Sequence, residues 1–236
     1  MQPRSLDFAA VLARAEAVPG WLTPDQARCL YDAAAALASG DRAVEIGSHL
    51  GRSAVVLASA LPAGSVLTCV DPFPADWRYG RADTENAFRA TVHDAGLADR
   101  VDLRVAHSRE VRAGWGGPVH LVYVDGKHDY WSVRDDLRWA DHLVEGGTLL
   151  VHDAYSSLGV TTGLLAELAT SDRLRYVRRV RSLAVLQRRR PSVGDRLRLL
   201  VGLPWFARNL VVKVLLRARA RRVAALLGHR DVHDPY

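Results

Sequence analysis

The chain has 236 residues, 49% hydrophobic and 25% charged, as expected of a soluble globular protein with a sizeable core. Its two cysteines, Cys29 and Cys69, exclude a disulfide framework or a cysteine zinc cluster and imply a reducing, cytoplasmic setting. The net charge of +6 is uneven: residues 173–236 carry 17 Lys and Arg against 3 Asp (net +14), and the other 172 residues carry 15 basic and 23 acidic side chains (net −8). This asymmetry predicts an acidic body and a basic tail with a separate role. The N-terminus lacks the apolar core of a signal peptide, and no uncharged apolar run approaches the roughly 18 residues of a membrane span.

In chain order, residues 6–18 form a helical stripe of Leu6, Phe8, Ala9, Val11, Leu12 and Ala15, stopped by Pro19-Gly20. Thr23 is an expected N-cap with Pro24 at N1, opening a helix to about residue 37. These helices, within residues 1–40, are expected to form an N-terminal cover. The pattern then changes. A strand at 43–47 leads into a tight turn at 48–51 and a helix at 52–60. A second strand at 66–70 ends at Asp71, after which Pro72 and Pro74 force a loop. A helix at 82–95 has Gly96 as its C-cap. Strands follow at 101–105, 121–124 and 148–151, with a helix at 130–144 before the last of them. Residues 158–168 read as a further helix weakened by Gly159 and Gly163.

This alternation predicts an α/β fold over residues 41–190: a Rossmann-like, doubly wound, mostly parallel sheet with helices on both faces. Segments 174–180 and 183–187 are too close for a crossover helix, so they should close the sheet as an antiparallel hairpin.

Two strand ends carry the chemistry. Glu45-Ile46-Gly47-Ser48-His49-Leu50-Gly51 follows a strand and opens a helix, where glycines allow close backbone approach and the helix start offers free N–H groups. It is neither Gly-x-Gly-x-x-Gly nor a P-loop. Asp71, one strand later, is placed to accept hydrogen bonds from ribose hydroxyls. Residues 122–130, Val-Tyr-Val-Asp-Gly-Lys-His-Asp-Tyr, break at a glycine and bring Asp125 and His128 to one spot. The strand ending Val-His-Asp adds His152 and Asp153 at the neighbouring position. Two carboxylates there suit Mg²⁺, and a nearby neutral imidazole can take a proton from a metal-bound hydroxyl. Lys127 is a rival base, but a free lysine is mostly protonated at neutral pH.

In order, Val-Glu-Ile-Gly-x-x-x-Gly, Val-Asp-Pro, Val-Asp-Gly-x-His-x-Tyr and Gly-Gly-Thr-Leu-Leu-Val-His-Asp resemble the class I S-adenosylmethionine-dependent methyltransferases. Within them, the chain is similar to the metal-dependent O-methyltransferase branch that includes antibiotic-pathway sugar O-methyltransferases and cephalosporin-biosynthesis proteins. The resemblance spans about residues 43–187. It implies that Glu45, Gly47, Ser48, Gly51 and Asp125 line the cofactor site, that Asp71 holds the ribose, and that Ser108 contacts adenine. It also implies metal ligation by Asp125 and by an acidic pair that here reads His152-Asp153. Imidazole is a poorer Mg²⁺ ligand than carboxylate. Either His152 points away, or the site prefers Mn²⁺, or the metal binds weakly. Asp136 also matches the wider pattern but reads as a solvated helix residue. His128 is the expected catalytic base, and a glycosyl or other polyhydroxylated small molecule is the implied acceptor. The acceptor pocket is expected to use the N-terminal helices and the loop 73–80.

Residues 191–236 leave the family pattern. Helices are expected at 195–203 and 205–227, the second mixing Arg208, Lys213, Arg217, Arg219, Arg221 and Arg222 with apolar side chains. Such a tail can pack on the body, on a second subunit, or on an anionic membrane surface as a peripheral contact. Nucleic acid is not expected, because Trp205 and Phe206 form no stacking platform. The alternative to an enzyme is a cofactor-binding protein without catalysis that acts through this tail.

Overall fold

The computed structural model describes residues 7–74 and 83–229. Leu6, the helix start expected at residue 82 and most of the loop 73–80 lie outside them. The chain runs α1 (Phe8–Glu16), α2 (Pro24–Ala35), β1 (Arg42–Ile46), α3 (Arg52–Ala60), β2 (Val66–Val70), α4 (Thr84–Asp94), β3 (Val101–Arg104), α5 (Ser108–Ala113), β4 (Val119–Val124), α6 (Tyr130–Asp136), β5 (Leu143–Val151), α7 (Leu158–Thr170), β6 (Leu174–Val180), β7 (Leu183–Arg188), α8 (Val193–Val201), α9 (Leu203–Arg217) and α10 (Arg221–Leu226).

The strands form one seven-stranded sheet in the order β3-β2-β1-β4-β5-β7-β6. The first five are parallel; β7 runs antiparallel to β5, and β6 antiparallel to β7, as the short hairpin spacing requires. Strand side chains alternate between two cores. Ala43, Leu121 and Tyr123 join the cluster under α1, α2 and α3, whereas Val44, Val122 and Val124 join the cluster with Trp139, Leu164 and Leu199. Because helices cover both faces, β1, β2 and β4 are buried almost end to end. Each fully buried Leu or Val contributes roughly 1.5–3 kcal/mol.

Helix α2 starts at the expected cap: Thr23 and Gln26 form a reciprocal capping box with Pro24 behind it. It is tied to the far hairpin by a buried hydrogen bond from Gln26 Nε2 to Ser182 Oγ, 2.9 Å. The helix expected at 130–144 stops earlier. After Asp136 a 3-10 turn spans Leu137–Asp141, burying Leu137, Trp139 and Ala140, and β5 begins at Leu143.

The tail also differs from expectation. Gly202 keeps helical dihedrals (φ −76°, ψ −16°), so α8 and α9 run on without the break expected at 202–204. The break falls instead at Arg219 (φ +60°), between α9 and α10. A side chain at Gly202 would collide with the Tyr155 ring, since an added Cβ would lie 2.5 Å from Cε1. Leu199, Asn209 and Val212 are buried, so one side of the tail packs on the body.

Candidate active site

Strand order reverses between β1 and β4, and such a switch point opens a crevice at the strands' C-terminal ends. A cavity of about 710 Å³ lies there. Its wall includes Gly47, Ser48, Asp71, Ser108, Asp125, His128, His152 and Asp153 from among the sequence-predicted residues.

Gly47 is the pivot of the turn after β1. Its φ of +84° is the left-handed region that favours glycine. The turn after β1 is stitched to its neighbours by Gly47 N–H to Val70 O (2.9 Å) and Asp125 N–H to Ile46 O (2.8 Å). A Cβ on Gly47 would sit 2.3 Å from the Asp125 carbonyl oxygen, so no side chain fits. Asp71 organises the same turn. Its Oδ2 accepts from the Ser48 and His49 amides, 2.9 Å each, and its Oδ1 from Phe73 N–H at 2.7 Å.

Two expectations need correction. Glu45 does not line the cavity: strand alternation turns it toward α3, where it is fully buried and Cys69 Sγ donates to it at 3.2 Å. Burial pushes its carboxyl up to about 7. Gly51 does not line the cavity either. It is the left-handed N-cap of α3 (φ +91°) and packs against Phe88 and Thr91.

Ser108 opens α5 and accepts from Trp139 Nε1 at 2.8 Å. Asp136 is not a solvated helix residue. It is 6% exposed, lines the cavity, and burial pushes its carboxyl up to about 7 against a hydrogen bond from Ser108. Ser48 Oγ is buried at the cavity wall beside the Glu45 carboxyl, whose rise it opposes. A close glycine turn and carboxylates at the wall fit a nucleoside cofactor carrying a positive centre.

The second cluster sits where β4 and β5 end. His128 bridges two carboxylates, with Nε2 3.3 Å from Asp125 Oδ1 and Nδ1 3.2 Å from Asp153 Oδ2. Tyr123 OH donates to Asp125 Oδ2 at 3.0 Å. His152 Nδ1 lies 3.1 Å from Asp125 Oδ1 and 3.7 Å from Asp153 Oδ1, yet neither ring nitrogen makes an aligned hydrogen bond. Burial alone would raise the Asp125 carboxyl, but His152 and His128 hold it well below the usual range. Burial alone would lower His152, but Asp125 and Asp153 raise it to about 9. His128 is raised by the same two carboxylates against its own burial. Asp153 (φ +54°) and Tyr155 (φ +61°) hold left-handed backbones, strain of the kind that gathers at functional sites.

This donor set does not fit the expected Mg²⁺. The oxygens that would face the ion already contact imidazole nitrogens at 3.1–3.3 Å, and two histidines balance two carboxylates. Among the described residues no group of three or more His, Cys, Asp or Glu is arranged to hold a metal ion.

These groups predict how stability depends on pH. Glu45 and Asp136 bind a proton more tightly folded than unfolded, so their contribution is complete near pH 4 and declines as pH rises toward 7. His152 contributes fully below its unfolded value near 6.5 and loses that contribution as pH rises to about 9. Asp125 acts oppositely, and only below about pH 4. The melting temperature of the cofactor-free chain is therefore expected to fall by about 5–10 °C between about pH 5 and pH 8.5. A flat or rising profile in thermal denaturation would contradict these burials.

A seven-stranded sheet of this order, with a glycine turn after β1 and an acid after β2, is the class I methyltransferase fold. A family model described as "Methyltransferase domain" matches residues 44–154. Over those residues the chain is similar to a methyltransferase domain. Solved structures agree on the fold. Cofactor-bound Rv0187 from MTB superposes with a TM-score of 0.60 at 20% identity, covering 77% of this chain and 89% of that one. The O-methyltransferase from Bacillus cereus in complex with SAH gives 0.58 at 17% identity, covering 80% and 92%. TomG from Streptomyces achromogenes, an O-methyltransferase of tomaymycin synthesis in complex with SAM, gives 0.57 at 18% identity, covering 80% and 91%.

Three further residues or pairs complete the wall. Trp21 and His49 stack at 6.1 Å and an interplanar angle of 25° at the rim. Asp136, the last residue of α6, turns its carboxyl into the cavity wall. Lys213 arrives from α9, far outside the matched domain, and its Nζ donates to the Ser156 carbonyl.

Proposed function

We propose that the chain transfers a methyl group from S-adenosylmethionine to a hydroxyl oxygen of a glycosyl or other polyhydroxylated small molecule, with His128 as proton acceptor. The observation that carries this reading is His128 itself: an imidazole at the cavity, 40% exposed, held between two carboxylates. When bound, the cofactor supplies an electrophilic methyl on a sulfonium centre. The turn at 47–49 and Asp71 hold it close to the strand ends. Neutral His128 has a single N–H to donate, so its contact to one of Asp125 and Asp153 opens to turn the bare nitrogen toward the acceptor hydroxyl, and the other carboxylate stabilises the imidazolium that forms. His152 keeps Asp125 ionised. Trp21, 53% exposed at the rim, offers a flat apolar surface for a sugar ring.

The test is calorimetric binding of S-adenosylmethionine, followed by turnover over a panel of hydroxylated acceptors. Absence of cofactor binding would sink the reading. Binding without any turnover would favour a non-catalytic binding protein. Because imidazoles occupy the space between the carboxylates, EDTA treatment is expected to change turnover by less than about twofold. A loss of more than about tenfold, restored by Mg²⁺ or Mn²⁺, would bring back the metal-assisted route.

A further inference from the structure

The outer face of the tail has a pattern that methyl transfer does not use. Helix runs from Val193 to Arg217, 25 residues, or about 37 Å. Val193, Leu197, Leu200, Pro204, Ala207, Val211, Val214 and Ala218 are all apolar and all exposed. They recur in alternating steps of four and three, so they form one stripe along the helix. Leu199, Asn209 and Val212, on the opposite side, are buried against the body. At the stripe's C-terminal end Arg217, Arg219, Arg221 and Arg222 are exposed. The only acid between residues 193 and 229 is Asp195, which is buried and spent on its capping box with Ser192 and a contact to Arg198 at 2.9 Å.

We propose that this face is a docking surface for an anionic lipid bilayer, on which α8–α9 lies flat. An apolar stripe continued by an arginine cluster suits a surface with acyl chains below and negative headgroups above. The helix is long and apolar enough to cross a membrane by length and composition. Crossing would break what holds its inner side. Asn209 Nδ2 donates to the Tyr155 carbonyl at 2.9 Å, Tyr155 OH donates to the Leu199 carbonyl at 2.8 Å, and Lys213 Nζ donates to the Ser156 carbonyl. A second copy of the chain fits this surface less well. A parallel pairing of two stripes would bring the arginine clusters together, and an antiparallel one would set each cluster at the end that carries exposed Arg198, in both cases with no exposed carboxylate between residues 193 and 229 to meet it.

The experiment is co-sedimentation of the full chain with phosphatidylcholine vesicles, with and without phosphatidylglycerol, at low and high salt. Strong binding only to the phosphatidylglycerol vesicles, weakened by salt, is expected. It should fall by at least about tenfold both in the pair Val211→Asp/Val214→Asp and in the quadruple variant Arg217→Gln/Arg219→Gln/Arg221→Gln/Arg222→Gln. S-adenosylhomocysteine affinity and circular dichroism are followed in every variant. They show that the body is folded and score the methyltransferase reading independently of the vesicles. Absence of sedimentation by the wild type, or equal binding to neutral vesicles, would overturn the proposal. So would a dimer in analytical ultracentrifugation that Val211→Asp/Val214→Asp separates, since the stripe would then belong to a second copy.

Discussion

Gly47→Ala is expected to remove cofactor binding and to destabilise the fold together. Two costs combine at this position. The left-handed backbone costs a side-chain-bearing residue about 1 kcal/mol. The new Cβ also has nowhere to go, because the atoms it meets at 2.3–2.7 Å are the backbone of Asp125 and Gly126 rather than the end of a flexible side chain. Overpacking of this kind adds roughly 1–3 kcal/mol. A total of about 2–4 kcal/mol corresponds to a melting-temperature drop of about 5–15 °C for a chain of this size. Relief of the clash must push the turn away from β4, breaking the Asp125-to-Ile46 hydrogen bond and displacing the amides that Asp71 gathers. S-adenosylhomocysteine affinity should then fall at least about tenfold, measured by calorimetry below the melting transition. Gly96→Ala is the control. Gly96 also has positive φ (+68°) but nothing within 4 Å of its added Cβ, so it should lose about 1 kcal/mol and keep cofactor affinity. Equal affinity losses in the two variants would mean that general destabilisation, not the contact with Asp125, is responsible.

His128→Ala should lower turnover by about 100-fold or more, the usual contribution of a general base, while S-adenosylhomocysteine affinity stays within about twofold. A residue that merely holds Asp125 and Asp153 apart would give a similar loss, so a second variant is needed. Glutamine can donate a hydrogen bond to a carboxylate but cannot accept a proton at neutral pH. If His128 is the base, His128→Gln fails as badly as alanine; recovery of most activity in His128→Gln would make it a positioning residue. The pH profile gives an independent reading. Because both carboxylates raise the imidazole, wild-type turnover should climb as pH rises above about 6.5, and the climb should be missing from the residual activity of His128→Ala.

Much of the architecture was legible because it rests on local rules. Strand and helix periods differ, Thr23-Pro24 announces its helix, and the spacing of residues 174–187 leaves no room for a crossover. The boundaries that moved were decided by distant partners. β5 starts at Leu143 because that residue pairs with Val119 across a register shift, and α6 tightens after Asp136 so that Trp139 can be buried. In the site, acids and histidines at strand ends could be read directly, since parallel strands deliver their C-terminal ends to one edge. The orientation of Glu45 was also readable: it shares β1's parity with Ala43 and so belongs to the α3 side. Asp136 could not be separated from a solvated aspartate by sequence, because nothing local distinguishes a helix face that meets solvent from one that meets a cavity. Lys213 depends on how a helix 60 residues beyond Asp153 returns to the fold.

The return of that helix makes the tail and the strand-end cluster one thermodynamic system. Residues 153–156, which begin with the left-handed Asp153, are held from behind by Leu199, Asn209 and Lys213, with the Tyr155 ring seated on Gly202. To the extent that a ligand on either side orders this shared segment, it lowers the ordering cost for a ligand on the other. Reciprocity then requires that tail occupancy change acceptor affinity by the same factor by which acceptor occupancy changes tail affinity. For the same reason, a chain cut after residue 190 would not be a minimal methyltransferase but one whose Asp153 has lost its support.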